Sequence, residues 1–98
     1  EPTASLDLAR QAGAMQAARR VRDGGAGVLA VLHDLNLAAA FADRVALLAC
    51  GRLVALGPPA EVLTPDLLGE VYGLPIAVGV GPRGGPAIAP DFSAIAQA

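Results

Sequence analysis

The chain has 98 residues, 54% of them hydrophobic and only 16% charged, which excludes a disordered polar polymer. Its net charge of −2 and pI near 5.1 exclude the broad cationic surface that nucleic-acid binding requires. A single cysteine, Cys50, excludes an intrachain disulfide and any multi-cysteine metal site.

Residues Glu1–Asp7 read as a turn leading into a helix, with Asp7 as its N-cap. A helix is expected over Leu8–Asp23, where Leu8, Ala12, Met15 and Ala18 fall on one face and Gly24-Gly25 stop it. Arg19, Arg20 and Arg22 near its end suit the negative pole of the helix dipole. Val28–Leu32 is an unbroken apolar run, as expected of a strand covered on both faces in a parallel sheet. His33 follows directly. Asp34 is expected to cap a second helix in which Leu35, Ala38, Ala39 and Ala42 share a face.

Val45–Ala49 and Leu53–Leu56, joined by Cys50-Gly51-Arg52, form an expected β-hairpin, because Gly51 takes positive φ without penalty. A short helical turn from Pro59 or Ala60 to Leu63 comes next. Thr64-Pro65 then starts a helix that Gly73 closes. Ile76–Val80 reads as a last strand, and residues 81–98 as a loosely ordered Gly/Pro-rich tail. The expected architecture is α/β: one parallel strand with flanking helices, a β-hairpin, and an incomplete sheet. With 3% aromatic residues, the core must come from Ala, Val and Leu, and it is thin for a chain standing alone. A start at Glu1-Pro2-Thr3, without Met, suggests a cut through a longer protein. No apolar run approaches the roughly 20 residues that cross a bilayer.

Two polar groups stand where α/β sheets gather ligands, outside the carboxyl ends of strands. A carboxylate (Glu1) and an imidazole (His33) so placed could activate a water and touch an anion. Taken singly, a terminal Glu is ordinarily a solvated charge, a lone His at a strand end a structural residue, and Cys50 in a turn an inert thiol. All seven basic residues are Arg. A G-x-x-x-x-G-K-[ST] phosphate loop is therefore absent, since its lysine reaches the β- and γ-phosphates.

Glu1-Pro2-Thr3-x-x-Leu6-Asp7, a helix, an apolar run and His33-Asp34 together resemble the second half of an ABC transporter nucleotide-binding domain, a P-loop NTPase fold. Asp43-Arg44-Val45, Gly51-Arg52-Leu53-Val54 and Gly57-Pro58-Pro59-Ala60-Glu61-Val62-Leu63 look like that family's closing hairpin and helix. The likeness spans residues 1–80. It implies that Glu1 orients the water attacking the γ-phosphate of ATP and that His33 is the switch histidine bonded to that phosphate. Asp7 would lie in the D-loop, near the nucleotide and the partner of a head-to-tail ATPase homodimer. The family's Ser-Ala order appears here as Ala4-Ser5, so the usual D-loop serine contact is assigned to neither residue. The Walker A loop, Q-loop, signature motif and Walker B aspartate are not in this sequence, so ATP and Mg²⁺ would be held mainly elsewhere and the 98 residues alone would be inactive.

His33-Asp34-Leu35-Asn36-Leu37-Ala38, with Thr64-Pro65-Asp66-Leu67-Leu68 and Val71-Tyr72-Gly73-Leu74-Pro75, resembles importers of iron chelates, haem and cobalamin, haemin importers above all. That resemblance implies transmembrane permease partners, a peripheral position on the cytoplasmic face of the inner membrane, no nucleic acid, no protein metal ligand in this chain and no direct contact with the cargo. Two other readings compete. A non-transport ABC-type ATPase would carry a different segment after His33, and a small non-enzymatic binding module would fold as a cooperative monomer.

Overall fold

The computed structural model describes residues 2–97. It divides at the His33–Asp34 bond into two compact units.

The first unit holds helix α1 (Pro2–Asp23) followed by an extended segment. The helix begins six residues earlier than the expected start at Leu8, so Asp7 sits inside it and is not its N-cap. Of the face expected to be apolar, Ala12, Met15 and Ala18 are half-buried and Arg22 joins them, whereas Leu8 is 54% exposed. At the C-terminus the helix ends where Gly24-Gly25 predicted. Gly24 N–H donates to the Arg20 carbonyl (3.2 Å), Ala26 N–H donates to the Val21 carbonyl (3.3 Å), and Gly25 takes φ 102°. Arg20 and Arg22 occupy the last turn, as the dipole favours. Arg22 also pairs with Asp23 at 2.8 Å, a solvent-washed contact worth little.

Val28–Leu32 does not form the expected buried parallel strand. Among the described residues nothing pairs with it, and Leu29 and Val31 are 95% and 86% exposed. A strand needs partners for its own N–H and C=O groups, and a parallel partner needs a long crossover to supply it. Both sheets among the described residues are antiparallel hairpins instead.

The second unit contains every buried apolar residue among those described. Helix α2 (Leu35–Phe41) starts as predicted: Asp34 Oδ1 accepts from Asn36 N–H (2.9 Å) and Leu37 N–H (3.1 Å). Strands β1 (Val45–Ala49) and β2 (Arg52–Gly57) pair through the two-residue turn Cys50-Gly51. Both turn residues have positive φ, 51° and 73°, the type I′ geometry whose twist matches a hairpin. Cys50 is the only non-glycine with positive φ among the described residues and carries the steric cost of that region. A bulge between Leu47 and Leu48 shifts the register.

Helix α3 (Pro59–Val62) and helix α4 (Pro65–Tyr72) follow. Thr64 Oγ1 accepts from Leu67 N–H (3.3 Å), Pro65 fills the first helical position, and Gly73 closes α4 at φ 70°. These three residues behave as the sequence indicates.

Residues 81–97 do not form the loose tail expected of 81–98. Strand β3 (Ile76–Val80) turns through residues 81–85 into strand β4 (Pro86–Pro90), and helix α5 (Phe92–Gln97) follows, its first turn bonded by Asp91 Oδ1 to Ala94 N–H (3.2 Å). The Gly and Pro residues were misleading because they build this hairpin. Gly81 N–H donates to the Gly85 carbonyl, Gly84 takes φ 85°, and the two prolines bracket β4. The core joins both hairpins to the helices: Leu47 from β1, Val62 and Leu63 at α3, Leu68 from α4 and Ile88 from β4.

Candidate functional site

Of the residues singled out from the sequence, Glu1 lies outside the described residues. Asp7 is exposed on α1. His33 is exposed at a bend just before Asp34. No hydrogen bond or ion pair joins Asp7 to His33 among the described residues. Asp34 is absorbed by α2, its carboxylate oxygen committed to two backbone amides. Cys50 is an exposed free thiol at a hairpin tip.

A polar contact spanning 52 residues of sequence was not foreseen. The Asn36 side chain, in the first turn of α2, bonds to both backbone groups of Ile88: Ile88 N–H donates to Asn36 Oδ1 at 2.7 Å, and Asn36 Nδ2 donates to the Ile88 carbonyl at 3.0 Å. The spacing of Pro86 and Pro90 explains why Ile88 is free to be held in this way. In an antiparallel pair, alternate residues turn their N–H and C=O groups toward the partner strand. Proline has no N–H to give, so Pro86 and Pro90 take outward-facing positions on β4. Ile88 shares their parity and turns its own backbone pair outward too. An amide side chain offers one donor and one acceptor side by side, which matches that edge. The signal in the sequence was the pattern Pro-x-Ile-x-Pro, which marks an edge strand needing a partner.

No family model matches the chain. It is 53% identical over 92 residues to the hemin import ATP-binding protein of Myxococcus xanthus, a match covering 93% of this chain and 34% of that protein. To the proteins of the same name from Nocardia farcinica and Rhodococcus jostii it is 58% identical over 79 residues and 54% identical over 78 residues. Each of these covers 80% of this chain and 27% of the relative. The chain is a relative of ABC-type hemin import ATP-binding proteins. It aligns with their C-terminal part and spans about a third of their length.

Nucleotide-hydrolysing members of such a family use Mg²⁺. Among the described residues no three His, Cys, Asp or Glu side chains gather where they could hold a metal ion. With no lysine in the sequence either, the described residues do not fit a Mg²⁺–phosphate cradle. No helix among them is long and apolar enough to cross a membrane.

Proposed function

We propose that this chain works as the hydrolysis-sensing part of an ATPase subunit that powers an importer, with haemin or another iron chelate as cargo. The observation that carries this reading is the 53% identity over 93% of the chain to a hemin import ATP-binding protein. The order of Glu1, Asp7, His33 and the closing hairpin along the sequence supports it.

In this reading the nucleotide and its Mg²⁺ are held mainly by residues outside these 98, as part of a P-loop NTPase domain to which residues 1–80 belong. The Glu1 carboxylate orients the water that attacks the γ-phosphorus while the bond to the ADP oxygen breaks. The His33 imidazole donates an N–H to the departing phosphate, and its exposure here suits that task. Asp7 lies in the segment that meets the second subunit of an ATPase homodimer. The subunit sits peripherally beneath two permeases on the cytoplasmic face of the inner membrane, touching neither cargo nor nucleic acid.

The test is genetic. In a strain whose iron comes only from haemin, His33→Ala in the gene carrying this chain abolishes growth, while growth on inorganic iron continues. Undiminished growth on haemin defeats the proposal.

A further inference from the structure

The hairpin of β3 and β4, within the second unit, has two outer edges of unlike character. Bonds from Gly81 N–H to the Gly85 carbonyl and from Asp91 N–H to the Pro75 carbonyl flank its ladder and fix which residues face inward. Residues 77, 79, 87 and 89 turn their N–H and C=O groups into the ladder. Ile76, Val78 and Val80 turn theirs to the outer side of β3, as Pro86, Ile88 and Pro90 do on β4. On β4 that edge is closed: two positions have no N–H, and Asn36 takes both groups of the third. On β3 the outward N–H groups of all three residues have no hydrogen-bond partner among the described residues. An edge of this kind is a template for another strand, and charge, proline or a bulge normally blunts it. The β1–β2 pair has Arg52 and a bulge, and β4 has its prolines. Ile76-Ala77-Val78-Gly79-Val80 has none of these.

We infer that the outer edge of β3 pairs with the same edge of a second copy of this chain, antiparallel and in register about Val78. The edge is complementary to itself. A two-fold axis at Val78 sets Val78 opposite Val78 and Ile76 opposite Val80, so each outward N–H meets a C=O of the second copy. The same register lays two rows of β-branched side chains side by side on one face. Ile76 and Val78 already pack against the core, whereas Val80 is 82% exposed in the single chain. In the pair Val80 lies beside Ile76 of the second copy. β3 contains no charged residue, so the two copies bring no like charges together there. With the β4 edge closed, the sheet stops at four strands and the assembly at two copies. Five residues a side bury less than the roughly 1,000 Å² of a lasting interface, so the pair forms at high concentration and separates on dilution. This contact is independent of the ATPase reading.

The experiment follows the 98-residue chain by sedimentation equilibrium and by amide exchange at rising concentration. The mass is expected to climb from 9.7 kDa toward twice that value. The amides of Ile76, Val78 and Val80 should slow by about fivefold once most of the chain is paired, while those of Ala77 and Gly79, already in the ladder, should not change. Val80→Pro removes one outward donor at the parity that Pro86 and Pro90 tolerate, and should weaken the dimer by about tenfold or more. Val80→Lys leaves the backbone intact and should do the same; it is the variant read if Val80→Pro loses the protection of Ala77 and Gly79. Leu53→Lys adds the same charge at an exposed side chain of β2 and should leave dimerisation within about twofold. A chain that stays at 9.7 kDa throughout, with Ala77 and Gly79 protected, overturns the inference. So does a dimer broken by Leu53→Lys and not by the Val80 variants, which places the contact on the other hairpin. A dimer in which the amides of Ile76, Val78 and Val80 exchange as in the monomer overturns it as well.

Discussion

Leu68 is the position where truncation should cost most. Its side chain is fully buried in α4, among Leu47, Val62, Leu63 and Ile88, and those residues join both hairpins to the helices. Leu68→Ala removes three carbons and leaves a cavity that backbone from four different elements must close, so about 2–5 kcal/mol is expected. Small domains have little to spare, with totals near the low end of about 5–15 kcal/mol. The loss is therefore a large fraction of the whole. Leu53, on β2, is the matched control: the same substitution at a side chain 57% exposed should cost within about 0.5 kcal/mol. Urea melts of the 98-residue chain can follow Tyr72, its only tyrosine, which closes α4 and so reports the second unit. With m near 1 kcal/mol/M for a unit this small, Leu68→Ala should lower the midpoint by about 2 M or more, and Leu53→Ala by less than about 0.5 M. Equal shifts for the two variants would mean that the packing described here does not hold the unit together.

Further outcomes follow from other residues. Calorimetry of the 98-residue chain with Mg-ATP should show no saturable binding, and micromolar affinity would contradict the dependence on residues elsewhere. In the whole subunit, His33→Ala should lower ATP turnover by about 10²- to 10³-fold, the cost of removing one donor to a developing oxyanion, as measured by phosphate release at saturating ATP. Cys50→Asn should raise stability by about 1 kcal/mol in urea melts, because Asn tolerates the left-handed backbone that Cys50 adopts at φ 51°. Thr64→Ala should lower it by about 1 kcal/mol through the lost α4 cap.

The parts of the fold legible in the sequence are those decided by chemistry within a few residues. Asp34, Thr64-Pro65, Gly73 and Cys50-Gly51 each act on groups two to four positions away, and each does what its residue type dictates. Asp7 shows the limit of such local reasoning. It is a good cap by composition, yet α1 runs through it to Pro2, so residue preference gave way to continuation of the helix. Val28–Leu32 shows a different limit. Apolar character makes a segment eager for a sheet without supplying the neighbour that completes its hydrogen bonds, and pairing is the property a strand cannot encode alone. Of the candidate site, Glu1, Asp7 and His33 were named from residue type and order alone; Glu1 lies outside the described residues, and among those described no bond joins Asp7 to His33.

The C-terminal hairpin carries the lesson further, because the features that suggested a loose tail are what specify it. Glycine at 81, 84 and 85 permits the reversal, and prolines at 86 and 90 forbid any pairing register that would ask them for an N–H. Their even spacing fixes the parity of β4, and the parity turns the Ile88 backbone outward while its side chain enters the core at 9% exposure. An outward N–H and C=O at the edge of a partly buried strand need a partner, since leaving such groups unpaired costs about 1–3 kcal/mol. Asn36, 52 residues earlier, meets both with one amide. Read forward, Asn36 is an unremarkable polar residue in a helix; read from β4 backward, it is the complement that the proline spacing requires. The test of that logic is Ala87→Pro. At the inward parity it removes a donor facing β3, so it should disrupt the hairpin that Pro86 and Pro90 tolerate, seen as loss of amide protection across residues 76–90.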